Sequence, residues 1–371
     1  MGWSWNDVSV DAGAPSANLV DTPMVSAYLF AAQRTQHVIH TSGPGIINEL
    51  WSDGSGWHYH DLSAATNAPM GFVGEAYSFE AQRTQHMDYV ALDDYHVHEL
   101  WWDSTGWHLN DLTDATATPS GLTETGGGSP WPAGYVFAHQ ETQHVNYRRD
   151  DGHVIELWWD NIGWHFNDLT LAAYATDVAT SFPSGYAFEA QATQHVTYRR
   201  DDGHIIELWW DSGVWNHNDL TVATGAPVAY AQYVWYRSGY VFDAQCTQHV
   251  IFLGEDFHIH ELWWDSNGWH HHDLTNASGA PIGYSFTVPI GYVFAAQGTQ
   301  HVNYQGADSH IHELWWDSSG WHHNDLTVAS GAPATTTEVC VPVGYGFDAQ
   351  GTQHVFYRDE NSHVTQLTWN P

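Results

Sequence analysis

Lysine is absent from the chain, and its 8 basic residues are all arginine, whereas aspartate and glutamate together number 43. The formal net charge is −35 at pH 7, and a surface this acidic repels phosphate groups. We therefore expect neither a nucleic-acid partner nor binding to anionic membranes. Without lysine, Schiff-base catalysis and a phosphate-loop lysine are also excluded.

Cysteines and long apolar runs are scarce as well. The 2 cysteines, Cys246 and Cys340, are too few for a disulfide framework. Cys340 lies in a variable insert and is expected to be exposed, so one hypothesis is an intermolecular Cys340 disulfide that holds a dimer under oxidising conditions. The sequence shows neither a membrane-spanning apolar run nor a secretory signal. This predicts a soluble protein, made in the cytoplasm and released, if at all, without a signal peptide.

What the sequence has instead is a repeat. The string GYVFAAQGTQHVNYQGADSHIHELWWDSSGWHHNDLTVASGAP at 291–333 recurs with small changes from one end of the chain to the other. The histidine of its TQH triplet occurs at intervals of 49 to 58 residues, a period typical of a β-propeller. The seven copies place it at His37, His86, His144, His195, His249, His301 and His354.

Each copy contains four short runs rich in aromatic and β-branched residues, separated by clusters of Gly, Asp and Ser. Such runs predict strands, and four antiparallel strands make one propeller blade. No apolar pattern of helical period continues for ten or more residues, which excludes an α-solenoid. The sequence therefore predicts an all-β fold, a seven-bladed β-propeller that forms a single domain over 1–371.

The two ends of the chain complete each other. The first residues match only the fourth strand of the repeat, and the last residues match only its first three strands. We predict that they pair into one composite blade, which closes the ring and hides the sheet edges. Inserts at 120–133 and 228–238 are expected to be surface loops, with Trp131 exposed. The predicted blades cover 24–69, 75–119, 134–170, 185–227, 239–281, 291–333 and the composite 344–371 with 1–15.

The ELWWD string places large side chains on both faces of the third strand. Because successive side chains alternate, Glu313 and Trp315 share one face, and His312, Leu314 and Trp316 share the other. Each tryptophan doublet then sends one indole into each of two adjacent clefts between blades. For any single indole, core packing is the more common role. The repeated glutamate needs an internal partner or a ligand, because a buried charge is costly.

A carboxylate and an amide beside an indole suit a neutral sugar. The indole can stack on the apolar C–H face of the ring while planar polar groups bind its hydroxyls. Counterparts of Gln297, Thr299, His301, Glu313 and Asn324 occur in most copies, so the sites would be repeated. Several weak sites displayed together hold a multivalent surface more tightly than one site alone.

The same residue types also occur in metal sites, in Asp-box turns and in glycosidase active sites. The HxHE strings and the triplet His270–His272 are compatible with a metal, but they repeat without the closing Cys or carboxylate expected of a zinc set, and no metal or other cofactor is predicted. The DSxGW turn resembles the Asp-box of sialidases without its full spacing, and is explained as a strand connection. A glycosidase needs one differentiated pair of carboxylates, whereas here the carboxylates are spread evenly. Catalysis is not expected.

The units AQxTQHV, HIHELWWD and GWHHNDLT resemble the seven-bladed propeller lectins of the Photorhabdus type, over essentially the whole chain. A more distant likeness is to the Aleuria-type fungal fucose lectins. The resemblance implies binding of L-fucose and O-methylated sugars, on fucosylated or methylated glycans, in clefts between adjacent blades. It also implies no catalysis, contact with a host, and assembly into dimers or larger homo-oligomers.

The resemblance also implies which residues bind the sugar. The polar candidates are a strand-two histidine and a strand-three glutamate from each of five blades: His86 with Glu99, His144 with Glu156, His195 with Glu207, His249 with Glu261, and His301 with Glu313. The stacking candidates are the tryptophan doublets Trp101 and Trp102, Trp158 and Trp159, Trp209 and Trp210, Trp263 and Trp264, and Trp315 and Trp316.

Two copies depart from this pattern. The first has Ser52 in place of the second tryptophan, and the last has Gln366 for the glutamate and Thr368 for the first tryptophan. Clefts that use these positions should be weak or empty, so fewer than seven strong sites are expected. The main alternative to a lectin is a structural or protein-interaction propeller whose partner uses the inserts between blades. A glycan-processing enzyme is the third hypothesis.

Overall fold

A computed structural model describes residues 2–17, 25–118, 131–176, 178–230, 239–335 and 340–371. Within them the strands form seven antiparallel sheets of four strands each. The fold is a seven-bladed β-propeller, which confirms the predicted fold class. We number the strands β1 to β28 and the short helices α1 to α7 in chain order, and each sheet is called a blade.

Each of the first four blades is a run of four consecutive strands. Blade one contains β2 Val25–Phe30, β3 Thr35–Ser42, β4 Ile46–Ser52 and β5 Trp57–Asp61. Blade two contains β6 Gly71–Phe79, β7 Thr84–Ala91, β8 Val97–Asp103 and β9 Gly106–Asp111. Blade three contains β10 Ala133–Phe137, β11 Thr142–Arg148, β12 Val154–Asp160 and β13 Gly163–Asp168. Blade four contains β14 Ser184–Phe188, β15 Thr193–Arg199, β16 Ile205–Asp211 and β17 Val214–Asp219.

The remaining blades follow the same order, except that the last one is composite. Blade five contains β18 Gly239–Phe242, β19 Thr247–Leu253, β20 Ile259–Asp265 and β21 Gly268–Asp273. Blade six contains β22 Ile290–Phe294, β23 Thr299–Gln305, β24 Ile311–Asp317 and β25 Gly320–Asp325. Blade seven contains β26 Val343–Phe347, β27 Thr352–Arg358, β28 Val364–Asn370 and β1 Gly2–Asp7. Its β1 pairs antiparallel with β28, from Gly2 opposite Asn370 to Asp7 opposite Thr365.

A short helix follows the fourth strand in every blade, which the sequence analysis did not predict. These helices are α1 Val8–Ala12, α2 Leu62–Thr66, α3 Leu112–Thr116, α4 Leu169–Ala172, α5 Leu220–Thr224, α6 Leu274–Ser278 and α7 Leu326–Ser330. In α7 the Asp325 carboxylate caps the N-terminus by accepting from the Val328 amide at 2.9 Å. Gly331 ends the helix in the left-handed conformation. Among the described residues, no helix has the length and apolar character needed to cross a membrane.

The described chain divides into two compact units. One comprises Met1–Val25, Asp202–Ile205 and Asp219–Pro371, and it contains blades five, six and seven. The other comprises Ser26–Asp201 and Ile206–Asn218, and it contains the first three blades with most of blade four. In each unit the core lies between blades: it includes Tyr240, Ile251, Val302 and Leu314 in the first unit, and Tyr28, Ile39, Met87 and Leu100 in the second.

Two expectations about exposure are wrong. Trp131 is only 4% exposed, because its indole stacks on Phe72 with ring centroids 6.3 Å apart. Cys340 is only 1% exposed, since it packs in a core cluster with Leu326, and burial raises the pKa of its thiol to about 12. The hypothesis of an intermolecular Cys340 disulfide depended on an accessible thiol, and this thiol is buried. The other insert residues, 120–130 and 231–238, lie outside the described residues.

Candidate functional site

The predicted histidine and glutamate pairs are direct contacts between neighbouring strands. In blade two, Nδ1 of His86 on β7 lies 2.7 Å from Oε1 of Glu99 on β8. An ionised carboxylate only accepts hydrogen bonds, so Nδ1 carries the proton and Nε2 accepts from the Thr84 hydroxyl at 2.7 Å. Both side chains are buried. The same pair forms at 2.8 to 2.9 Å in His37–Glu49, His144–Glu156, His195–Glu207, His249–Glu261 and His301–Glu313.

The repeated glutamate thus has an internal partner, and in blade two it has three. The side-chain amide of Asn110 donates to Oε2 of Glu99 at 2.8 Å. Gln143, from the neighbouring blade three, donates to Oε1 at 3.0 Å. In blade six the amide of Asn324 donates to Glu313 in the same way, at 2.9 Å. Glu99 is therefore held rigidly, and its charge is compensated by three donors rather than left for a ligand.

In blades one, two, three, five and six, the first tryptophan of the third strand stacks on a histidine of the fourth strand. In blade two the Trp101 indole lies 4.3 Å from the His108 ring at an interplanar angle of 27°. His108 is in turn held by the Asp103 carboxylate, 3.0 Å from its Nε2. Equivalent stacks at 4.2 to 4.3 Å are Trp51–His58, Trp158–His165, Trp263–His270 and Trp315–His322. In blade four, Asn216 stands at the position of this histidine.

The second tryptophan of the doublet turns to the opposite face and meets the preceding blade. The Trp102 indole contacts Phe30 of blade one edge to face, with centroids 6.1 Å apart at 74°. The equivalent contacts are Phe137–Trp210, Phe242–Trp316 and Phe294–Trp369. Strand alternation predicted this division of the doublet between the two faces of the strand.

A cavity of about 130 Å³ lies between blades two and three. It joins Trp101 of blade two to Trp159, the second tryptophan of the blade three doublet. Of the sugar-binding candidates in these two blades, His86 and Glu99 also line it, whereas Trp102, His144, Glu156 and Trp158 do not. The full lining is Gln82, Thr84, His86, Glu99, Trp101, Asn110, Gln143, Trp159 and Trp164.

Sequence reasoning missed one indole of this cavity. Trp164 lies opposite Trp159 across the β12–β13 pair, so two indoles of blade three stand side by side at the wall. The signal was present, because a tryptophan follows the turn glycine in the fourth strand of most copies. It was overlooked because the doublet alone accounted for one indole in each cleft. Gln143 was also missed, although its TQH triplet defines the repeat.

A buried acid lies next to this cavity. Asp88 on β7 is opposite Glu99 in the β7–β8 register and is 0% exposed. Burial, and then the negative charge of Glu99, raise the pKa of Asp88 well above its ordinary value. Asn146 and Asn303 occupy the same position in blades three and six, so those blades carry an uncharged amide where blade two has this acid.

The two departing blades behave differently from each other. In blade one the glutamate remains: burial raises the pKa of Glu49, but hydrogen bonds from His37 and His60 outweigh burial and bring it below its ordinary value. In blade seven, Gln366 lies 2.9 Å from Nδ1 of His354 in place of the carboxylate. Without a negative partner, burial lowers the pKa of His354 to about 4. In blade seven an amide thus replaces the carboxylate that pairs with this histidine in the other blades.

The fold is similar to those of solved lectins. The BP39L lectin from Burkholderia pseudomallei matches with a TM-score of 0.70 at 14% identity, over 94% of this chain and 96% of that chain. The SapL1 lectin, solved in complex with alpha methyl fucoside, matches at 0.52 and 16% identity, over 83% and 97%. The six-bladed fungal lectin of Aleuria aurantia matches at 0.52 and 13% identity, over 77% and 87%.

These comparisons confirm the predicted likeness to propeller lectins at the level of the fold, since identities this low carry the argument no further. No protein-family model and no curated protein matches the chain.

Proposed function

We propose that the protein is a multivalent lectin without catalytic activity, which binds L-fucose and related O-methylated saccharides in clefts between adjacent blades. The observation that carries this proposal is the cavity between blades two and three. There, indoles of both blades surround a carboxylate, an imidazole and amides that are bonded to one another.

The charge of the cavity favours a neutral ligand. Glu99 is the sole carboxylate among the residues that line it. Because Glu99 already accepts from His86, Asn110 and Gln143, a cation gains little from it. One carboxylate is also too few for glycoside hydrolysis, which uses two. The described lining therefore lacks the pair of acids that would cleave a saccharide.

The hydrogen bonds within the lining also favour a saccharide with apolar substituents. Both ring nitrogens of His86, both oxygens of Glu99 and the amide nitrogens of Asn110 and Gln143 are already engaged, so the indoles of Trp101, Trp159 and Trp164 offer an apolar contact surface. An indole stacks on C–H groups and contacts methyl groups. C6 of L-fucose is a methyl group in place of a hydroxymethyl group, and O-methylation caps a further hydroxyl, which fits this lining. The solved structures support the same choice, since SapL1 was solved in complex with alpha methyl fucoside.

Calorimetric titration with L-fucose, an O-methylated fucoside and mannose tests the proposal. We expect saturable binding of the first two at more than one and fewer than seven sites per chain, and none of mannose. Replacing Trp101→Ala should remove one site, because it deletes the indole on the blade two side. A matched control is Trp5→Ala, which removes an indole that is 44% exposed and outside this cavity. Equal loss in both variants, with circular dichroism unchanged, would count against the cleft.

The proposal extends to the biological setting. We propose contact with glycans of a host and assembly into dimers or larger homo-oligomers, both supported by the lectin resemblance. Light scattering at several protein concentrations tests the assembly, and a monomer throughout would contradict it. If no saccharide binds while the chain remains folded, a protein partner becomes the leading explanation.

A further inference from the structure

Histidines and aspartates form a second kind of cluster, away from the indoles, at the hairpin between strands two and three. In blade two the cluster consists of Asp94, His96, His98 and Asp111. Each offers one nitrogen or oxygen atom, and these four atoms all lie within 4.8 Å of one another. His98 is adjacent to Glu99 in the chain, but strand alternation places the two side chains on opposite faces of β8.

The local structure fixes each member. The Asp94 carboxylate accepts from the His96 amide at 2.8 Å, which folds the hairpin, and it lies 3.2 Å from Nε2 of His98. Asp111 caps α3 through Oδ1, which leaves its Oδ2 only 2.8 Å from Nδ1 of His96. His98 is 5% exposed and packs on the Tyr89 ring. The four groups are therefore held in position before any ligand arrives.

This set has the composition of a divalent transition-metal site. Zinc prefers four ligands from imidazole nitrogens and carboxylate oxygens in a closed arrangement. Two carboxylates neutralise the charge of one divalent ion, and two imidazoles complete the coordination. Of the two carboxylates, Asp94 lies two residues before His96 in the chain, and Asp111 lies at the end of the next strand, β9. They are the carboxylate ligands that the sequence analysis did not connect with these histidines.

Blade three provides an independent observation that this position attracts a cation. Its counterparts of Asp94 and Asp111 are Asp151 and Asp168, and Ile155 replaces His98. There Arg149 donates from Nε to Asp151 at 2.9 Å, and its Nη2 lies 3.6 Å from Asp168. Where the second histidine is missing, the positive charge thus comes from a guanidinium of the chain itself.

Blades five and six follow blade two. Each brings three ligands together: Asp256, His258 and Asp273 in blade five, and Asp308, His312 and Asp325 in blade six. The position of Arg149 is taken by Gly254 and Gly306. A Cβ on Gly254 would lie 2.7 Å from Nε2 of His260, and one on Gly306 would lie 2.5 Å from Nε2 of His312. In these two blades the second histidine, His260 or His312, therefore packs against the glycine, where a larger residue would not fit.

We propose that Asp94, His96, His98 and Asp111 bind a divalent transition metal such as Zn²⁺, with related three-ligand sites in blades five and six. Without metal, the Nδ1 proton of His96 points toward Asp111. Metal binding at Nδ1 releases this proton to solvent or moves it to Nε2. The site is separate from the cavity between blades two and three, so metal and saccharide should bind independently. The inference does not rest on the proposed lectin function.

Zinc uptake by chelator-treated protein is the test, measured by calorimetry and by metal analysis after gel filtration. We expect at least one equivalent of Zn²⁺ to bind to the wild type, with Mg²⁺ failing to compete, and thermal unfolding to move to higher temperature. The double variant Asp94→Asn with His98→Gln should lose the tightest equivalent. The matched control is Asp151→Asn in blade three, where Arg149 takes the place of the metal, and its uptake should equal that of the wild type.

Two results would overturn the proposal. One is a wild type that binds less than one equivalent of Zn²⁺. The other is a double variant that is folded by circular dichroism and still takes up as much as the wild type. If the double variant fails to fold, His96→Asn replaces it, because His96 is partly exposed and the same loss of uptake is expected. Fucose titration with and without chelator should agree, which keeps this test distinct from that of the lectin.

Discussion

The replacement of glutamate by glutamine in blade seven predicts a specific acid sensitivity. Burial lowers the pKa of His354 from 6.5 to about 4 in the folded protein. In the unfolded chain His354 therefore binds a proton near pH 6.5, whereas in the folded chain it binds one only near pH 4. Stability from this group is present above the unfolded pKa and is lost as the pH falls from about 6.5 to about 4. The full difference corresponds to about 3 kcal/mol, of which about 2 kcal/mol is lost between pH 7 and pH 5.

The variant Gln366→Glu restores the pairing found in the other blades. A carboxylate 2.9 Å from Nδ1 of His354, in place of the present amide, would stabilise the imidazolium and raise the pKa of His354 toward its ordinary value. Urea unfolding at about pH 7 and about pH 5 should then show a free-energy difference smaller by about 2 kcal/mol in the variant than in the wild type. An NMR titration of His354 measures the pKa directly.

Two further groups make the comparison decisive. Burial also lowers the pKa of His40 in blade one to about 4, so both proteins retain that part of the acid sensitivity. Asn370→Asp adds the same charge at an exposed position and should leave the pH dependence unchanged. If Gln366→Glu has the same pH dependence as the wild type, the assignment of this sensitivity to His354 is refuted.

Two other predictions concern packing. Gly185→Ala should lower the free energy of unfolding by about 1–3 kcal/mol by overpacking, because a Cβ there would lie 2.4 Å from both Tyr135 Cε1 and Asn146 Nδ2. Gly2→Ala, with nothing within 4 Å of its Cβ, is the control in the same denaturant titration, and equal effects would contradict the clash. A thiol reagent should label the exposed Cys246 and leave the buried Cys340 unmodified until the protein unfolds. Fast labelling of Cys340 in the native state would show that its burial is wrong.

The architecture could be predicted from the sequence because the same pattern of four strand-like runs recurs along the whole chain. Seven copies of four strand-like runs leave little freedom in topology, and the incomplete ends of the chain indicate the pairing of β1 with β28. The division of the tryptophan doublet followed from strand alternation alone. The short helices were missed because each is a single turn, although the capping Asp325 and the terminal Gly331 were visible in the sequence.

The candidate site was only partly predictable because it depends on contacts between blades. The pairing of His86 with Glu99 joins adjacent strands, and a pattern with a fixed period shows it. The bond from Gln143 to Glu99 and the approach of Trp159 and Trp164 to Trp101 depend on how blade three packs on blade two. The burial of Cys340 was not predicted for the same reason. The composition of its insert indicated an exposed loop, whereas Cys340 packs into a core cluster.

The polar residues common to the blades organise the cleft more than they are available to a ligand. In blade two His86, Asn110 and Gln143 all donate to Glu99, so the network is complete without a saccharide and costs little to keep preorganised. Affinity under the proposed function then comes mainly from the indoles, whose contacts with a monosaccharide are few. Such sites are individually weak, and a repeated fold compensates by presenting several of them to a surface that carries many copies of the sugar. Differences between blades, such as Asn216 in blade four and Gln366 in blade seven, then change the number of useful sites without changing the fold.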